Sequence, residues 1–407
     1  MINIAIMGHG VVGSGVVEVL THNSESIERR AADKIYIKHI LDLREFPESP
    51  LCDRFTKDFN DILNDDSVKI VVETMGGINP AYNFVKSCLL AGKSVVTSNK
   101  EFVATHGQEL LTIAKENNLN FLFEASVGGG IPIIRPMIQC LAANEISEIT
   151  GILNGTTNFI MTKMIRDNTD FSDALSLAQK LGYAERDPSA DIEGHDACRK
   201  ICILASLAFG KHVYPNQVYT DGITKITLND VKYAEKWGGV IKLLGRVKML
   251  ENGKINVTVY PAFVPNDSQL SLVDDVFNAI MINGDATGEV MFYGRGAGKL
   301  PTASAVVADV IDCVKHVKAR KYLYWADTED NYVVDHLDTK AELFIRIKTE
   351  NYDGDCEKIS EQFGEVRFLS DVGDEIAFIT KEGVERDLLN SLDKTGLNAE
   401  SVIHILY

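Results

Sequence analysis

The first third of the chain alternates short apolar runs with stretches whose apolar residues recur at helical spacing. Residues 2–7, 35–41, 68–73, 94–97 and 120–124 read as strands: short, apolar and ended by polar or glycine positions. Between them, Val16, Val17, Val19 and Leu20 mark one helix, the passage from Pro80 to Leu90 another, and Gly107 to Lys115 a third. This alternation predicts a parallel, doubly wound sheet, whose ligands sit outside the carboxyl ends of the strands. From about Ile146 the pattern changes. An amphipathic helix carrying Ile160 and Met164 precedes an acidic turn, and a strongly apolar helix then ends near Phe209-Gly210. Residues 240–249, 254–263, 276–282 and 286–293 alternate or run apolar between Gly, Asn and Asp, which predicts a mostly antiparallel sheet. A helix from Ala305 to Val317 follows, and the polar stretch from Lys318 to Lys340, with Tyr322, Tyr324 and Trp325, reads as a connector. The remainder patterns as strand 341–349, helix 355–363, a hairpin of 366–370 and 376–380 across Asp371 to Glu375, helix 384–392 and strand 401–406. That βαββαβ order is ferredoxin-like.

The predicted class is therefore α/β with a Rossmann-type doubly wound sheet first, an α+β part second and a small βαββαβ unit last. The boundaries fall at 1–130, completed by 294–318, then 131–293, a linker at 319–340, and 341–407.

Composition narrows the function without choosing it. The 407 residues are 45% hydrophobic and 24% charged, with a net charge of −17, which argues against a general binder of nucleic acid or anionic membrane. Met1 leads straight into a strand, without a basic leader or an apolar run long enough to span a bilayer, so a cytoplasmic protein is expected. The seven cysteines are scattered with no CxxC pair, which fits reduced thiols better than zinc; Cys198 and Cys202, one helical turn apart, lack further ligands at zinc spacing.

The candidate chemistry clusters where strands end. Gly8-His9-Gly10-Val11-Val12-Gly13 lies between the first strand and the first helix, the context a dinucleotide fingerprint requires. Asp42, ending the second strand, would hold the ribose 2′-hydroxyl of NAD, whereas Arg44 would meet the 2′-phosphate of NADP; the choice stays open. Gly76 and Lys100 follow later strands and face the same crevice by this reading. Glu124 opens a glycine-rich turn through Val127, Gly129 and Ile131, whose carbonyl oxygens either bind a hard monovalent cation or form a plain loop. Asn154 and Thr156 precede a helix, as ligands or as its cap. The stretch GYAERDPSADIEGHDACRK, from Gly182 to Lys200, then brings Glu185, Asp191 and Asp196 near a helix start, with Lys200 one turn beyond Asp196 on the same face. A lysine kept charged by carboxylates can protonate an oxygen that gains negative charge. The ordinary alternative is a surface ion pair. Gly296 and Gly298 belong to a second glycine loop, either a cover for the nicotinamide end of a cofactor or a linker turn.

Taken together, GHGVVGSG, GGINPA, GKSVVTSNK, EASVGGGIPIIRP, GILNGTTNF, GYAERDPSADIEGHDACRK and GRGAGKLPT resemble the homoserine dehydrogenase family in order and spacing, from Ile2 to about Lys318. The last unit looks like an ACT domain. The resemblance implies an oxidoreductase interconverting L-aspartate 4-semialdehyde and L-homoserine with NAD or NADP, as a homodimer or homotetramer whose contact uses part of the antiparallel sheet. Lys200 would be the proton donor, and Lys100 would support transfer and touch cofactor or substrate. Glu185 and Asp196 would bind the amino acid with Asp191 close by, and Gly182 and Gly298 would touch the cofactor. Glu124, Val127, Gly129 and Ile131 match the family's sodium site, the last three through main-chain oxygens. Leu41-Asp42 replaces the family's frequent Arg-Asp, which leaves Arg44 as the main support for NADP. Asn351-Tyr-Asp-Gly354 stands where ACT domains commonly have Asp-x-Pro-Gly, so subunit association is expected of that unit rather than threonine binding. A non-catalytic dinucleotide sensor would need the glycines but not Lys100, Lys200 and Glu185 together. A dehydrogenase of another amino-acid semialdehyde would share the carboxylate pair.

Overall fold

The structure, a computed structural model, describes residues 1–407 except 318, 320–322, 329–330, 371–372 and 407. Lys318 and Tyr322 of the expected connector, and Asp371 of the expected hairpin turn, lie outside the described residues. Six strands form the first sheet: β1 (Ile2–Met7), β2 (Ile35–Leu41), β3 (Phe55–Thr56), β4 (Val68–Glu73), β5 (Ser94–Thr97) and β6 (Phe121–Leu122). Their order is β3-β2-β1-β4-β5-β6, and every pair is parallel. In β4 only Lys69 escapes burial, as expected where helices cover both faces of a parallel sheet. The chain reverses direction of build between β1 and β4, so their carboxyl ends flank the crevice where such sheets take ligands.

Two helices start more than a turn earlier than their apolar pattern predicts. The third helix of the first half runs Lys100–Glu116, not from Gly107, because Asn99 caps it: its Oδ1 accepts the Glu101 N–H at 3.1 Å. Gly107 is inside the helix, where a Cβ would come 2.5 Å from the Trp325 ring. The glycine is a packing requirement, not a helix start. Similarly, the late helix runs Lys299–Lys315, with Pro301 in its first turn, where a missing N–H costs nothing. It packs on the Val11–His22 helix at Gly15, where a Cβ would lie 2.9 Å from the Lys299 oxygen, and Lys299 pairs with Glu18 at 2.6 Å. This late segment returns to the first sheet.

The second sheet has eleven strands among the described residues. Its first members are β7 (Ile146–Ile152), β8 (Tyr219–Thr220), β9 (Gly239–Met249), β10 (Ile255–Pro265), β11 (Phe277–Gly284), β12 (Gly288–Arg295) and β13 (Val333–Val334). Beyond a ribbon of β14 (Lys340–Ala341) and β18 (Gly383–Val384), the last part contributes β15 (Leu343–Lys348), β16 (Arg367–Phe368), β17 (Glu375–Ile379) and β19 (Ala399–Ile405), with helices Tyr352–Phe363 and Glu385–Thr395. The main path is β12-β11-β7-β9-β10-β19-β15-β17-β16. Pairing is antiparallel except along the outer edge of β10, which takes β13, β8 and β19 in succession, all parallel. The last unit is thus continuous with the middle sheet. Phe344 stacks on Phe263 with centroids 4.6 Å apart, and buried Arg346 reaches Asp230 at 2.9 Å and Glu375 at 2.7 Å. Part of the expected connector also folds: Ala326 bridges to Lys211, and β13 pairs with β10.

The helix His195–Phe209 lies on this sheet. It begins after Gly194 (φ +84°), where a Cβ would crowd Thr220 and Asp221, and ends at Gly210 (φ +72°). Most of its residues are buried, including Asp196 and Lys200.

Candidate active site

The crevice between β1 and β4 has the shape an anionic dinucleotide needs. Gly8 takes φ +93°, and a Cβ there would lie 3.0 Å from the Thr74 backbone; at Gly13 it would lie 1.9 Å from the Gly8 oxygen. Around Gly10, by contrast, nothing lies within 4 Å. A side chain at 10 would occupy only the space in front of the Val11–His22 helix. The first-turn N–H groups of Val11, Val12 and Gly13 have no partner inside the helix and favour negative charge. These residues fit a pyrophosphate.

At the ribose end, the expected rivals Asp42 and Arg44 form one unit. Arg44 donates from Nε to Asp42 Oδ1 at 2.9 Å and from Nη2 to Oδ2 at 2.8 Å, while the His9 N–H also donates to Oδ2 at 2.8 Å. The Arg44 hydrogen bonds hold the Asp42 carboxyl far below the usual carboxylate range, against the effect of its partial burial. Arg44, Lys57, Phe46 and Thr56 line a groove of about 280 Å³ beside this pair. Gly76 and Gly77, both left-handed at φ +80° and +69°, form the turn after β4 with open space around them.

Asp196 is the hub of the charged cluster. Its Oδ1 meets Lys100 Nζ at 2.7 Å and its Oδ2 meets Lys200 Nζ at 2.7 Å. Asn154 Nδ2 donates to Asp196 Oδ2 at 2.9 Å and to Asp191 Oδ1 at 2.7 Å. Lys200 also donates to the Leu153 carbonyl at 2.7 Å. Burial pushes the Asp196 carboxyl up, but the two lysines outweigh it and keep it ionised. Lys100, with Asp196 as the larger influence, is raised; Lys200 is lowered because burial outweighs Asp196. Burial and the neighbouring Asp196 charge raise Asp191. The two lysines at one carboxylate are therefore unlike: the Asp196 charge holds Lys100 above the ordinary lysine range, and burial holds Lys200 below it.

The remaining expected residues lie on loops and make no hydrogen bond to this hub among the described residues. Gly182 (φ +77°) and Glu185 sit on an exposed loop, and the Glu185 side chain makes no hydrogen bond or ion pair among the described residues. The loop is tied to the Asn154 helix by Thr156 Oγ1 donating to the Tyr183 carbonyl at 2.7 Å. Gly296 abuts Asn278, whose Nδ2 would be 2.0 Å from an added Cβ; Gly298 takes φ +125° and starts the late helix. The two glycine loops touch: a Cβ at Gly129 would lie 2.1 Å from the Gly296 oxygen, and the Gly130 N–H donates to the Arg295 carbonyl at 3.1 Å.

Glu124 plays a part its neighbours in sequence did not suggest. Its carboxylate accepts the N–H groups of Ile133, Ile134 and Arg135 at 2.7, 2.8 and 2.9 Å, so it anchors the next segment's start. The carbonyl oxygens of buried Val127, Gly129 and Ile131 accept no hydrogen bond among the described residues. No group of three or more His, Cys, Asp or Glu side chains there is arranged for a metal, so a cation at this turn would rest on carbonyls, which suits a hard monovalent ion. The sequence reading missed the carbonyl of Leu153, the dual role of Asn154 as cap and carboxylate donor, and the pairing of half-buried Arg135 with buried Asp309 beside Glu124. Only Asn154 carried a signal, as a capping residue before a helix.

The homoserine dehydrogenase sequence profile fits residues 132–311, and the profile for the NAD-binding domain of homoserine dehydrogenase fits residues 8–124. The curated homoserine dehydrogenase of Neisseria gonorrhoeae is 44% identical over 320 residues, which are 78% of this chain and 73% of that one. The chain belongs to the homoserine dehydrogenase family. It is accordingly an NAD(P)-dependent oxidoreductase. A homoserine dehydrogenase structure from Thiobacillus denitrificans matches with a TM-score of 0.91 at 33% identity, covering 100% of this chain and 98% of that one. A hyperthermophilic archaeal homoserine dehydrogenase mutant solved in complex with NADPH matches with a TM-score of 0.65 at 30% identity, over 76% of this chain and 97% of that one. No helix among the described residues is long and apolar enough to cross a membrane.

Proposed function

We propose that this homoserine dehydrogenase uses Lys200 as the group that gives a proton to the aldehyde oxygen of L-aspartate 4-semialdehyde and takes it back from L-homoserine. The observation that carries the reading is Asp196 held between Lys100 and Lys200, 2.7 Å from each. When bound, NAD(P) supplies or accepts the hydride at the reacting carbon. Lys100, whose charge Asp196 secures, steadies the same oxygen and faces the cofactor. Glu185 and Asp196, with Asp191 close by, hold the substrate's ammonium group. Asp191 and Glu185 have the freer oxygens, since both of Asp196's are shared with lysines.

Gly8, Gly10, Val11, Val12, Gly13, Asp42, Arg44, Gly76, Lys100, Gly182, Gly296 and Gly298 would hold NAD or NADP. Glu124, Val127, Gly129 and Ile131 would hold a sodium ion, Val127, Gly129 and Ile131 through carbonyl oxygens; Glu124's carboxylate is taken by N–H groups, which leaves its own carbonyl as the candidate ligand. Residues 1–130 with 294–318 serve the cofactor, 131–293 the substrate and a subunit contact, and 341–407 form an ACT-like unit after the linker 319–340. The working form is a cytoplasmic homodimer or homotetramer with no nucleic-acid or membrane partner.

The test is absorbance at the nicotinamide band with L-homoserine, in separate runs with NAD and NADP. Reduction is expected, and Lys200→Ala should lower turnover by ~10²–10⁴-fold while cofactor still binds. Near-normal turnover in that variant would remove Lys200 from the role. No reduction with either cofactor would favour another semialdehyde.

A further inference from the structure

We propose that Glu73 is a positioning residue that joins the cofactor-facing turn at Gly76 to Lys100, so that both are set by one buried carboxylate. It rests on the reading of Lys100 given above. Glu73 is the last residue of β4 and is 0% exposed. It has no cationic partner among the described residues. Burying a carboxyl group there is costly, and burial indeed pushes it above its ordinary range. An apolar residue would end the strand more cheaply.

What the carboxylate does instead is hold two structures at once. Its Oε1 accepts the Met75 N–H at 2.7 Å and the Gly76 N–H at 3.3 Å, which fixes the left-handed turn facing the crevice. Its Oε2 accepts the Thr97 hydroxyl hydrogen from the register partner on β5. Thr97 Oγ1 in turn accepts the Asn99 N–H at 2.9 Å. Asn99 then closes the ring: its Nδ2 donates to the Gly77 carbonyl at 2.6 Å, and its Oδ1 caps the helix that begins at Lys100. A turn anchor alone needs only the first two contacts. The Thr97–Asn99 arm leads directly to the residue whose Nζ meets Asp196. Cofactor turn and lysine are therefore placed by a single closed circuit of hydrogen bonds, whose members support one another.

The circuit predicts a split between variants. Glu73→Leu removes both acceptor oxygens and breaks both arms, so cofactor Kd from nicotinamide fluorescence should rise about tenfold, and kcat at saturating cofactor should fall about tenfold, the loss expected from one hydrogen bond to a charged group. Thr97→Val cuts only the arm toward Lys100, so kcat should fall with little change in Kd. Thr97→Ser keeps the hydroxyl and should restore kcat. Loss of kcat in Thr97→Val with recovery in Thr97→Ser supports the circuit even if Glu73→Leu fails to fold. The proposal is overturned if Glu73→Leu weakens cofactor binding but leaves kcat within about twofold, or if Thr97→Val matches the parent in both. Lys100→Met, measured alongside, separates the two layers: full turnover in that variant would end the role of Lys100 itself.

Discussion

One carboxylate sets the chemistry by where its two oxygens point. Asp196 raises the pKa of Lys100 and of Lys200, but Lys200 loses more to burial than it gains. On the proposed role of Lys200, reduction of the aldehyde needs it protonated, so its rate should fall as pH rises through the Lys200 pKa. Oxidation of homoserine needs Lys200 neutral, so its rate should rise through the same limb. Asp196→Asn removes a charge that favours the protonated form, so both limbs should move to lower pH. A kcat profile for each direction checks this, and limbs that stay in place would separate Asp196 from the titration of Lys200. Half of this was legible in the sequence, because Asp196 and Lys200 are four apart on a helix and must share a face. Lys100 was legible only as a lysine at a strand's end. Its arrival at the other oxygen of Asp196 is a tertiary fact, as is the burial that makes the two lysines differ. Glu124 shows the limit more sharply: its place in a glycine turn gave no sign that its carboxylate accepts three backbone N–H groups.

Among the elements, strands were easier to read than helix starts. β9 to β12 lie within a residue or two of where their alternating or apolar runs and the Gly, Asn and Asp positions between them put them. Helix starts depend on capping contacts and on neighbours distant in sequence, as Gly107 beneath Trp325 illustrates. The Lys299–Lys315 helix carries a further consequence. Asp309 on it is buried beside Glu124 and Arg135, accepts the Glu124 N–H at 2.8 Å, and burial pushes its carboxyl up to about 7. An acid whose folded pKa is raised above its unfolded value of 3.8 favours the native state at low pH and gives that advantage up as pH climbs towards about 7. Urea unfolding between pH 4 and 7 should therefore show a downward slope in stability that Asp309→Asn flattens. An equal slope in the variant would assign the trend to other groups.

At the scale of the whole molecule, the sequence suggested a small separate unit beyond a connector. The structure instead runs one sheet through the middle and last parts, joined where β19 lies beside β10. Periodicity cannot show which strand becomes whose neighbour, so this join was invisible in the chain. Arg346 makes the join costly to loosen. Its replacement by Ala would leave Asp230, which is 0% exposed, without its cation. Breaking one side of a buried pair costs ~3–5 kcal/mol. Thermal or urea unfolding of Arg346→Ala should show a loss of that order, and a change under ~1 kcal/mol would mean the pair is better solvated than its geometry implies.

The join also bears on how the chain is made. On the ribosome, β10 emerges long before β19, and until residues 399–405 follow, its edge at Ala262 and Phe263 has backbone groups with nothing to pair them. An open edge of this kind invites pairing with another chain. A nascent or prematurely stopped polypeptide should therefore be the aggregation-prone species, and chaperones that shield strand edges should matter more during synthesis of this protein than after it.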